Sequence, residues 1–294
     1  MLRDPIELYE YPREWHREKA DELVKSGLFI LKKDGFLRRG ITTATTVSAA
    51  IVASVASLKS EFDSVVVSTP VGINVSLDVE AENGFAIAKK FSGDHEFDIT
   101  DGIEVIAKTK SLGIKFGEGI GEINGRKAIS ESAMNQIREN FNRVCIEAGY
   151  REGVFIEIPE GRRIAKETKN KELGIKDGIS IIGTTGFVEP WCEELVEVKV
   201  EIAKRYQKIA ITTGRRAWDY AKKKYPDFQP FVFGLHMDKV LLEHDGEKII
   251  VGYPGLLKKW AGKEDLFKKA KFFGAEVEII VEDYWSRNMR GTHD

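Results

Sequence analysis

Apolar and polar residues alternate along residues 64–109, and a two-residue period is typical of strands that bury one face. Turn residues interrupt the alternation at Gly72, at Asn83-Gly84 and at Asp101-Gly102. The pattern predicts strands joined by short turns, which is typical of a largely antiparallel sheet. The predicted strands span residues 64–69, 73–80, 85–91 and 103–109.

Other segments predict helices that would accompany this sheet. Residues 40–59 are mostly Ala, Ser, Thr and Val, and their small side chains predict a closely packed, buried helix over 44–58. A pair of strands is the alternative, because Thr and Val favour strands. Residues 130–149 repeat apolar side chains every three or four positions and predict another helix, and a further one is expected over 15–26. Helices beside an antiparallel sheet indicate an α+β domain, which we place at residues 1–170.

The pattern changes near residue 179, where short apolar runs begin to alternate with helical segments. This alternation is typical of a parallel sheet with helices on both faces. Residues 171–294 are therefore predicted to form an α/β domain with a largely parallel, doubly wound sheet. Its predicted strands span 179–183, 208–213, 230–234, 248–253 and 276–281. Its predicted helices span 191–206, 215–225, 235–244 and 256–273.

Composition and charge exclude several classes of protein. The chain has 294 residues, of which 42% are hydrophobic and 31% charged, and its formal net charge is −2. A general nucleic-acid binder would carry a basic field, so that class is excluded. No apolar run approaches the roughly 20 residues of a membrane span, and the charged first residues differ from a secretory signal. We expect a cytoplasmic protein that binds neither nucleic acid nor membrane.

The first candidate site follows the predicted strand at 179–183. Gly183-Thr184-Thr185-Gly186 closes this apolar run, and Glu189 follows. Glycines let a ligand approach the backbone, threonines offer hydroxyls, and Glu189 could accept from a ribose hydroxyl or an ammonium group. The alternative is a turn whose threonines only cap the next helix.

A second candidate is the sequence GEGIG at 117–121. The spacing of Gly117, Gly119 and Gly121 is that of a nucleotide-binding loop, but the residues that follow predict strand and turn rather than the helix such a loop needs. The segment is either a plain flexible loop or a nest of backbone N–H groups that approaches a ligand.

Hydroxyl and basic side chains follow two other predicted strands of the parallel sheet. At a helix start they would bind an anion, and solvated cations are the alternative. Parallel strands end at one edge of a sheet, so these two strand ends and the glycine turn at 183–186 predict one shared crevice. The residues concerned are Thr213, Arg215, Arg216, Lys258 and Lys259.

Residues 93–102 concentrate carboxylates around one histidine. Asp94 or Asp98 could accept a proton there, and a polar turn between strands is the alternative. The spacing is not that of metal ligands, so we predict no metal site in the protein.

Together these segments resemble the CbiD family, and the match is colinear along nearly the whole chain. Its most specific part is GTTGFVEP at 183–190. The family's LRRGYTTGTC signature stands here as LRRGITTATT, with Ala44 and Thr46 in place of a glycine and a cysteine. Tyr253 and Leu256 replace a histidine and a lysine of the family pattern. The other matching segments are 93–102, 117–121, 178–195, 212–215 and 251–255.

The resemblance implies transfer of a methyl group from S-adenosylmethionine to carbon 1 of cobalt-precorrin-5B, which gives cobalt-precorrin-6A in anaerobic cobalamin biosynthesis. The cobalt belongs to this corrin substrate. The departures from the family pattern keep a non-catalytic tetrapyrrole-binding paralogue open as an alternative, and GEGIG alone keeps open an α/β enzyme that uses another nucleotide. A homo-oligomer is compatible with the sequence.

The resemblance also suggests roles for the candidate residues. Asp94 or Asp98 would be the proton acceptor, and residues 117–121 and 183–189 would bind S-adenosylmethionine. The corrin substrate carries acetate and propionate carboxylates, which basic and hydroxyl side chains would receive. The residues predicted for this are Arg38, Arg39, Thr42, Thr43, Thr213, Arg215, Arg216, Lys258 and Lys259.

Overall fold

A computed structural model describes residues 2–281, which divide into two compact units. The large unit comprises residues 17–192, and the small unit comprises residues 2–16 together with 193–281. The sequence analysis put a domain boundary at residue 170. That boundary stays a prediction.

The large unit is built around a six-stranded sheet of order β4-β5-β6-β7-β12-β8. Every neighbouring pair in it is antiparallel except β12 and β8, which are parallel. The four predicted strands are confirmed as β4 to β7. The strands of this unit are β1 (Phe29–Lys32), β2 (Gly35–Arg38), β3 (Gly40–Ile41), β4 (Phe62–Ser68), β5 (Asn74–Glu82), β6 (Phe85–Lys89), β7 (Glu104–Ser111), β8 (Ile114–Phe116), β9 (Gly119–Ile120), β10 (Glu122–Ile123), β11 (Arg126–Lys127), β12 (Gly153–Glu157), β13 (Gly178–Ile179) and β14 (Phe187–Val188). Its helices are α1 (Ala20–Lys25), α2 (Thr43–Ala56), α3 (Glu131–Ala148) and α4 (Gly161–Ala165).

Helix α2 is the centre of the large unit, and the predicted buried helix is confirmed. Its residues from 43 to 55 are all buried, and it contacts both the sheet and α3. Small side chains make this close approach sterically feasible. Its two serine hydroxyls are satisfied within the helix: Ser48 Oγ donates to the Ala44 carbonyl at 2.9 Å and Ser54 Oγ to the Ile51 carbonyl at 2.9 Å.

The predicted strand at 179–183 is shorter than expected and belongs to the large unit. Gly178–Ile179 pairs with β9, Ile181 forms an isolated bridge with Ile129, and Ile182 is 57% exposed. A short apolar run does not specify which partner a strand will find. The turn at 183–186 therefore ends no strand of the parallel sheet, and the premise that three strands of one sheet end in a shared crevice is wrong.

The small unit contains a four-stranded sheet of order β16-β15-β17-β18 in which all neighbours are parallel. The predicted alternation of strands and helices is confirmed from residue 208 onward, except that the predicted helix at 256–273 is two helices, separated by a turn in which Gly262 has φ +66°. The strands are β15 (Lys208–Thr212), β16 (Gln229–Val232), β17 (Glu247–Gly252) and β18 (Ala275–Ile279). The helices are α5 (Glu193–Ala203), α6 (Arg215–Lys224), α7 (Asp238–Glu243), α8 (Pro254–Ala261) and α9 (Leu266–Phe272).

The strand order of the small unit reverses direction once. The chain leaves β15 for β16 on one side, and then crosses back over β15 to β17 and on to β18. Because parallel crossovers are right-handed, this reversal predicts helices on both faces of the sheet, as in a doubly wound fold. It also makes the carboxyl ends of β15 and β17 the topological switch point, where such sheets bind ligands.

The amino-terminal segment is part of the small unit, which the sequence analysis missed. The Lys199 ammonium donates to the Glu7 carboxylate, and both side chains are almost completely buried. Lys199 Nζ also donates to the Val232 carbonyl at 3.0 Å, and the Val232 N–H donates to Glu7 Oε2 at 2.9 Å. The Tyr9 ring stacks on Phe231 at 5.5 Å between centroids. A buried ion pair thus holds the segment to α5 and β16.

We expect Lys199→Met to lower the free energy of unfolding by about 3–5 kcal/mol, because it leaves the Glu7 carboxylate buried without its cation. The double variant Glu7→Gln/Lys199→Met should be more stable than this single variant. Urea unfolding followed by circular dichroism measures both. The exposed Lys223→Met is the control and should change stability by about 0.5 kcal/mol or less. Wild-type stability in Lys199→Met would contradict this account of the segment.

Three glycines pack backbone against backbone in the large unit. A Cβ on Gly119 would lie 1.8 Å from the Ile158 carbonyl oxygen, and Cβ atoms on Gly161 and Gly178 would lie 2.1 and 2.2 Å from the Gly119 carbonyl oxygen. Such distances are far below van der Waals contact. Gly119 of the GEGIG motif is therefore required because the backbone of other segments of the large unit lies against it.

Gly178→Ala should destabilise the protein by about 3 kcal/mol, because the atoms in its way are backbone and cannot move aside cheaply. Gly255→Ala is the matched control: a Cβ there meets nothing within 4 Å, and alanine favours the helix in which it lies. Thermal unfolding measures both variants. Equal midpoints would show that the chain relaxes around the new methyl group and would refute the packing argument.

Candidate functional site

The large unit contains a cavity of about 630 Å³ beside β5 and β6. A volume of this size suits a small-molecule ligand. Its walls combine the side chains of Arg38, Lys89 and Lys90 with the apolar side chains of Ile41, Ile87 and Phe91. Asp78, Glu80 and Asp101 line it as well, and Lys89 is ion-paired with Glu80 and Glu104. The cavity thus combines charges of both signs with an apolar surface.

Arg38, predicted to bind substrate, lies at this cavity next to Asp94. The Arg38 guanidinium carbon is 4.6 Å from the centroid of the Phe91 ring. The Arg38 N–H donates to Asp94 Oδ2 at 2.7 Å, and the Asp94 N–H donates to the Arg38 carbonyl at 2.9 Å. Asp94 therefore fixes the backbone that presents Arg38.

Asp98 lies in the same loop as Asp94 but is ion-paired with Lys90. Its carboxylate accepts from the buried Lys90 ammonium, and from the N–H and hydroxyl of Thr100 at 2.9 and 2.5 Å. Burial alone would raise the pKa of Asp98, but the hydrogen bonds from Lys90 and Thr100 and the Lys90 charge outweigh it, and the pKa is lowered. A lowered pKa keeps this carboxylate ionised and makes it a weaker base.

The carboxylates of residues 93–102 mainly hold the loop together. Asp101 Oδ1 accepts from the Ser92 N–H at 2.9 Å, in addition to the contacts of Asp94 and Asp98. Among residues 2–281, no group of three or more His, Cys, Asp or Glu side chains is arranged to hold a metal ion.

Arg39 and Glu189 were predicted to contact two different ligands, and the structure brings them together. The Arg39 side chain is fully buried, and its Nε donates to Glu189 Oε1 at 2.8 Å. Its Nη1 donates to the Gly27 carbonyl at 3.2 Å. The pair joins segments 150 positions apart in the chain, an arrangement that favours a structural role for both charges.

The segment 181–186 crosses the N-terminus of α2. The N–H groups of Thr42 and Ala44 donate to the carbonyls of Gly186 and Ile182 at 3.0 and 3.3 Å, and Thr45 Oγ1 donates to the Gly186 carbonyl at 2.8 Å. Thr42 caps the helix through its hydroxyl, and Thr43 is buried in the first turn. Hydrogen-bond donors at the N-terminus of α2 that could bind a ligand are therefore already bonded to carbonyls of the segment 181–186.

The same segment also covers the N-terminus of α3. The Ser130 N–H donates to the Ile181 carbonyl at 3.0 Å, and the Ser132 hydroxyl donates to the Gly183 carbonyl. Ser130 caps α3 by accepting from the Ala133 N–H. Sequence reasoning missed Ser130 and Ser132, although a serine before an apolar helical repeat is a capping signal.

The glycines of this segment lie against side chains of the protein. A Cβ on Gly183 would be 2.6 Å from Thr42 Oγ1, and one on Gly186, which has φ +90°, would be 2.6 Å from Thr69 Cβ. Thr185 bonds locally, accepting from the Phe187 N–H at 3.2 Å, whereas Thr184 is exposed. A cofactor role for these residues stays a prediction, and Thr184 is the member best placed for it.

The GEGIG segment likewise has partners within the large unit. Lys127 Nζ donates to the carbonyls of Gly117 and Ile120 at 3.0 and 3.2 Å. A Cβ on Gly117 would lie 2.3 Å from the Phe155 ring, and one on Gly121 would lie 2.5 Å from Ile175. These glycines are explained by packing, and their role in cofactor binding also stays a prediction.

The remaining predicted substrate residues belong to the small unit. Arg215 Nη1 donates to the Ile6 carbonyl at 2.7 Å, its Nε lies 3.2 Å from Asp219 Oδ1, and its guanidinium carbon lies 4.1 Å from the centroid of the Trp218 ring. Arg215 is thus held by its own unit. The Thr213 side chain is buried. The exposed residues of the set are Arg216, Lys258 and Lys259.

None of the helices among residues 2–281 is long and apolar enough to cross a membrane.

Comparison with known proteins finds the same family along the whole chain. The model of the CbiD family matches residues 30–190. The chain is 55% identical to the cobalt-precorrin-5B C(1)-methyltransferase of Archaeoglobus fulgidus, over 99% of both chains, and 38% identical to the protein of that name from Methanococcoides burtonii, over 95% and 87%.

A solved structure agrees. The crystal structure of the cobalamin biosynthesis protein (cbiD) from Archaeoglobus fulgidus matches with a TM-score of 0.93 and 56% identity, over 95% of this chain and 100% of that one. By sequence and by fold, the chain belongs to the CbiD family.

Proposed function

We propose that this protein transfers a methyl group from S-adenosylmethionine to carbon 1 of cobalt-precorrin-5B in anaerobic cobalamin biosynthesis, giving cobalt-precorrin-6A. The observation that carries the proposal is 55% identity, over 99% of both chains, to a protein named cobalt-precorrin-5B C(1)-methyltransferase. S-adenosylmethionine supplies an electrophilic methyl group on a sulfonium ion. The protein must hold donor and acceptor in line, since alignment supplies much of the acceleration of such a displacement.

The cavity beside β5 and β6 is our candidate for part of the corrin site. Arg38 would receive a peripheral carboxylate of the macrocycle, and Phe91, Ile41 and Ile87 would contact its apolar surface. Arg38 beside this apolar wall is the feature of the cavity that suits a macrocycle with carboxylates.

The two aspartates predicted as proton acceptors differ in suitability. Asp98 is ion-paired with Lys90 and has a lowered pKa, and a general base works best when its pKa lies near the operating pH. We therefore propose Asp98 as a positioning residue that holds Lys90. Asp94 remains the candidate proton acceptor of the loop.

Purified protein incubated with cobalt-precorrin-5B and methyl-labelled S-adenosylmethionine should form S-adenosylhomocysteine and a labelled corrinoid in equal amounts. Mass spectrometry follows both products. Binding of the corrinoid with no S-adenosylhomocysteine formed would overturn the proposal and favour the non-catalytic paralogue.

Arg38→Ala should raise the KM for the corrin substrate about tenfold to a hundredfold, because a hydrogen bond to a charged group is lost. The kcat should change less, since Arg38 is proposed to bind substrate peripherally. Steady-state kinetics separate the two. Arg126→Ala removes an exposed arginine outside the cavity and serves as the control. An unchanged KM in Arg38→Ala would place the corrin carboxylates elsewhere.

Asp98 should stabilise the fold in a pH-dependent way. Its pKa is lower in the folded than in the unfolded protein, so its contribution is complete above the unfolded value of about 4 and is lost as the pH falls through the folded value. The difference in unfolding free energy between wild type and Asp98→Asn should therefore be largest near neutral pH and shrink below pH about 4. Urea unfolding at several pH values measures it, with Asp63→Asn as the exposed control. A difference that is constant from pH 7 to 3 would contradict this assignment.

A further inference from the structure

We infer that the switch point of the small unit, between the carboxyl ends of β15 and β17, binds the amino-acid carboxylate of S-adenosylmethionine. The inference rests on the proposed function and deepens it, because it gives the cofactor a site different from the segments at 117–121 and 183–189.

The two strands of the switch point lie side by side. Thr212 pairs with Val251, and the Thr213 N–H donates to the Val251 carbonyl at 3.2 Å. Each strand then passes directly into a helix, β15 through Gly214 into α6 and β17 through Tyr253 into α8. Two helix N-termini therefore follow neighbouring strand ends, and helix N-termini favour anions.

These two N-termini differ from those of α2 and α3. Side chains cap α2 and α3, and the segment 181–186 covers both, whereas no side-chain hydrogen bond caps α6 or α8. The N-cap of α6 is a glycine, which has no side chain to offer. Its first N–H groups are the kind of donor that a ligand carboxylate accepts from.

The glycines at the switch point also differ from those of the two glycine-rich motifs. Among residues 2–281, Cβ atoms on Gly214 and Gly255 would meet nothing within 4 Å, whereas Cβ atoms on Gly119 and Gly183 would collide with the protein. Gly214 has φ 164°, extended backbone that any residue adopts. The part of the chain that the structure describes therefore leaves room for a ligand beside Gly214 and Gly255.

The switch point also contains a buried hydroxyl. Thr213 is only 5% exposed, and its Oγ1 is buried without a hydrogen-bond partner among residues 2–281. The side chain lies against Gly252 at the end of the neighbouring strand β17, with Oγ1 2.7 Å from where a Cβ of Gly252 would be. A buried hydroxyl without a partner is costly, and a carboxylate bound at the α6 N-terminus would supply the missing acceptor.

The test is isothermal titration of the full-length protein with S-adenosylhomocysteine, which carries the same amino-acid carboxylate. Gly214→Val places a side chain in the open space and should weaken binding about tenfold to a hundredfold. Lys223→Val, on the last turn of the same helix, is the matched control and should bind as the wild type does. Circular dichroism checks that all variants are folded.

Thr213→Val separates a binding role from a structural one. It replaces a buried hydroxyl by a methyl group of similar size, so the ligand-free protein should melt at the same or a higher temperature. Its affinity for S-adenosylhomocysteine should nevertheless fall about tenfold. A lower melting temperature with unchanged affinity would overturn the inference.

The corrin substrate also carries carboxylates, so it is titrated in parallel. Weaker binding of the corrin substrate to Gly214→Val, with S-adenosylhomocysteine binding unchanged, would assign the site to the macrocycle and overturn the inference. Retained binding of S-adenosylhomocysteine in Gly214→Val together with its loss in Thr184→Val would place the cofactor at 183–186. Either result leaves the proposed function intact, whereas a wild-type protein that never binds S-adenosylhomocysteine would fail both.

Discussion

The burial of α2 is the constraint on which the large unit depends. A helix that touches both a sheet and another helix cannot carry large side chains on every face, so residues 43–55 are limited to Ala, Ser, Thr, Val and Ile. The buried serine hydroxyls donate hydrogen bonds to helix carbonyls, which offsets the cost of burying them. The composition of this segment thus follows from packing, without any reference to a ligand.

Covering the helix N-termini is the next consequence. A buried helix leaves its first N–H groups without partners unless other groups reach them. The segment 181–186 provides carbonyls for α2 and α3 together, and its glycines let it run close enough to do so. The motif GTTG at 183–186 is typical of a ligand-binding turn. In this fold, hydrogen bonds to α2 and α3 already account for its presence. The same holds for GEGIG, where Gly119 lies against the backbone of two other segments.

Sequence patterns predicted β4 to β7 and α3 because alternation or a helical repeat persists there over many residues, and the run of small side chains predicted α2. The same rules failed at 179–183, where the partner of a short apolar run is set by distant residues. They also missed the return of the amino-terminal segment to the small unit, since the Glu7–Lys199 pair joins positions 192 apart. At the site, Arg38 and Asp94 were found through the family resemblance and the acidic loop, and the structure places them together. The ion pair between Arg39 and Glu189 could not be predicted, because in the sequence each residue on its own looks like a ligand-binding residue.

A sequence motif alone therefore does not show whether a glycine is needed for packing or for ligand binding. The atoms that surround the glycine in the folded protein decide this. Where a Cβ would strike backbone, as at Gly178, the glycine serves the fold, and a ligand could approach only by displacing the chain. Where a Cβ would meet nothing and the helix behind it has no side-chain cap, as at Gly214, the backbone N–H groups remain for an external acceptor. The strand order also favours ligand binding there. The connections that leave β15 and β17 run in opposite directions along the sheet, which leaves a crevice between the carboxyl ends of the two strands. For these reasons the connection between β15 and α6, which has one glycine at Gly214, suits a bound carboxylate better than the two glycine-rich motifs do.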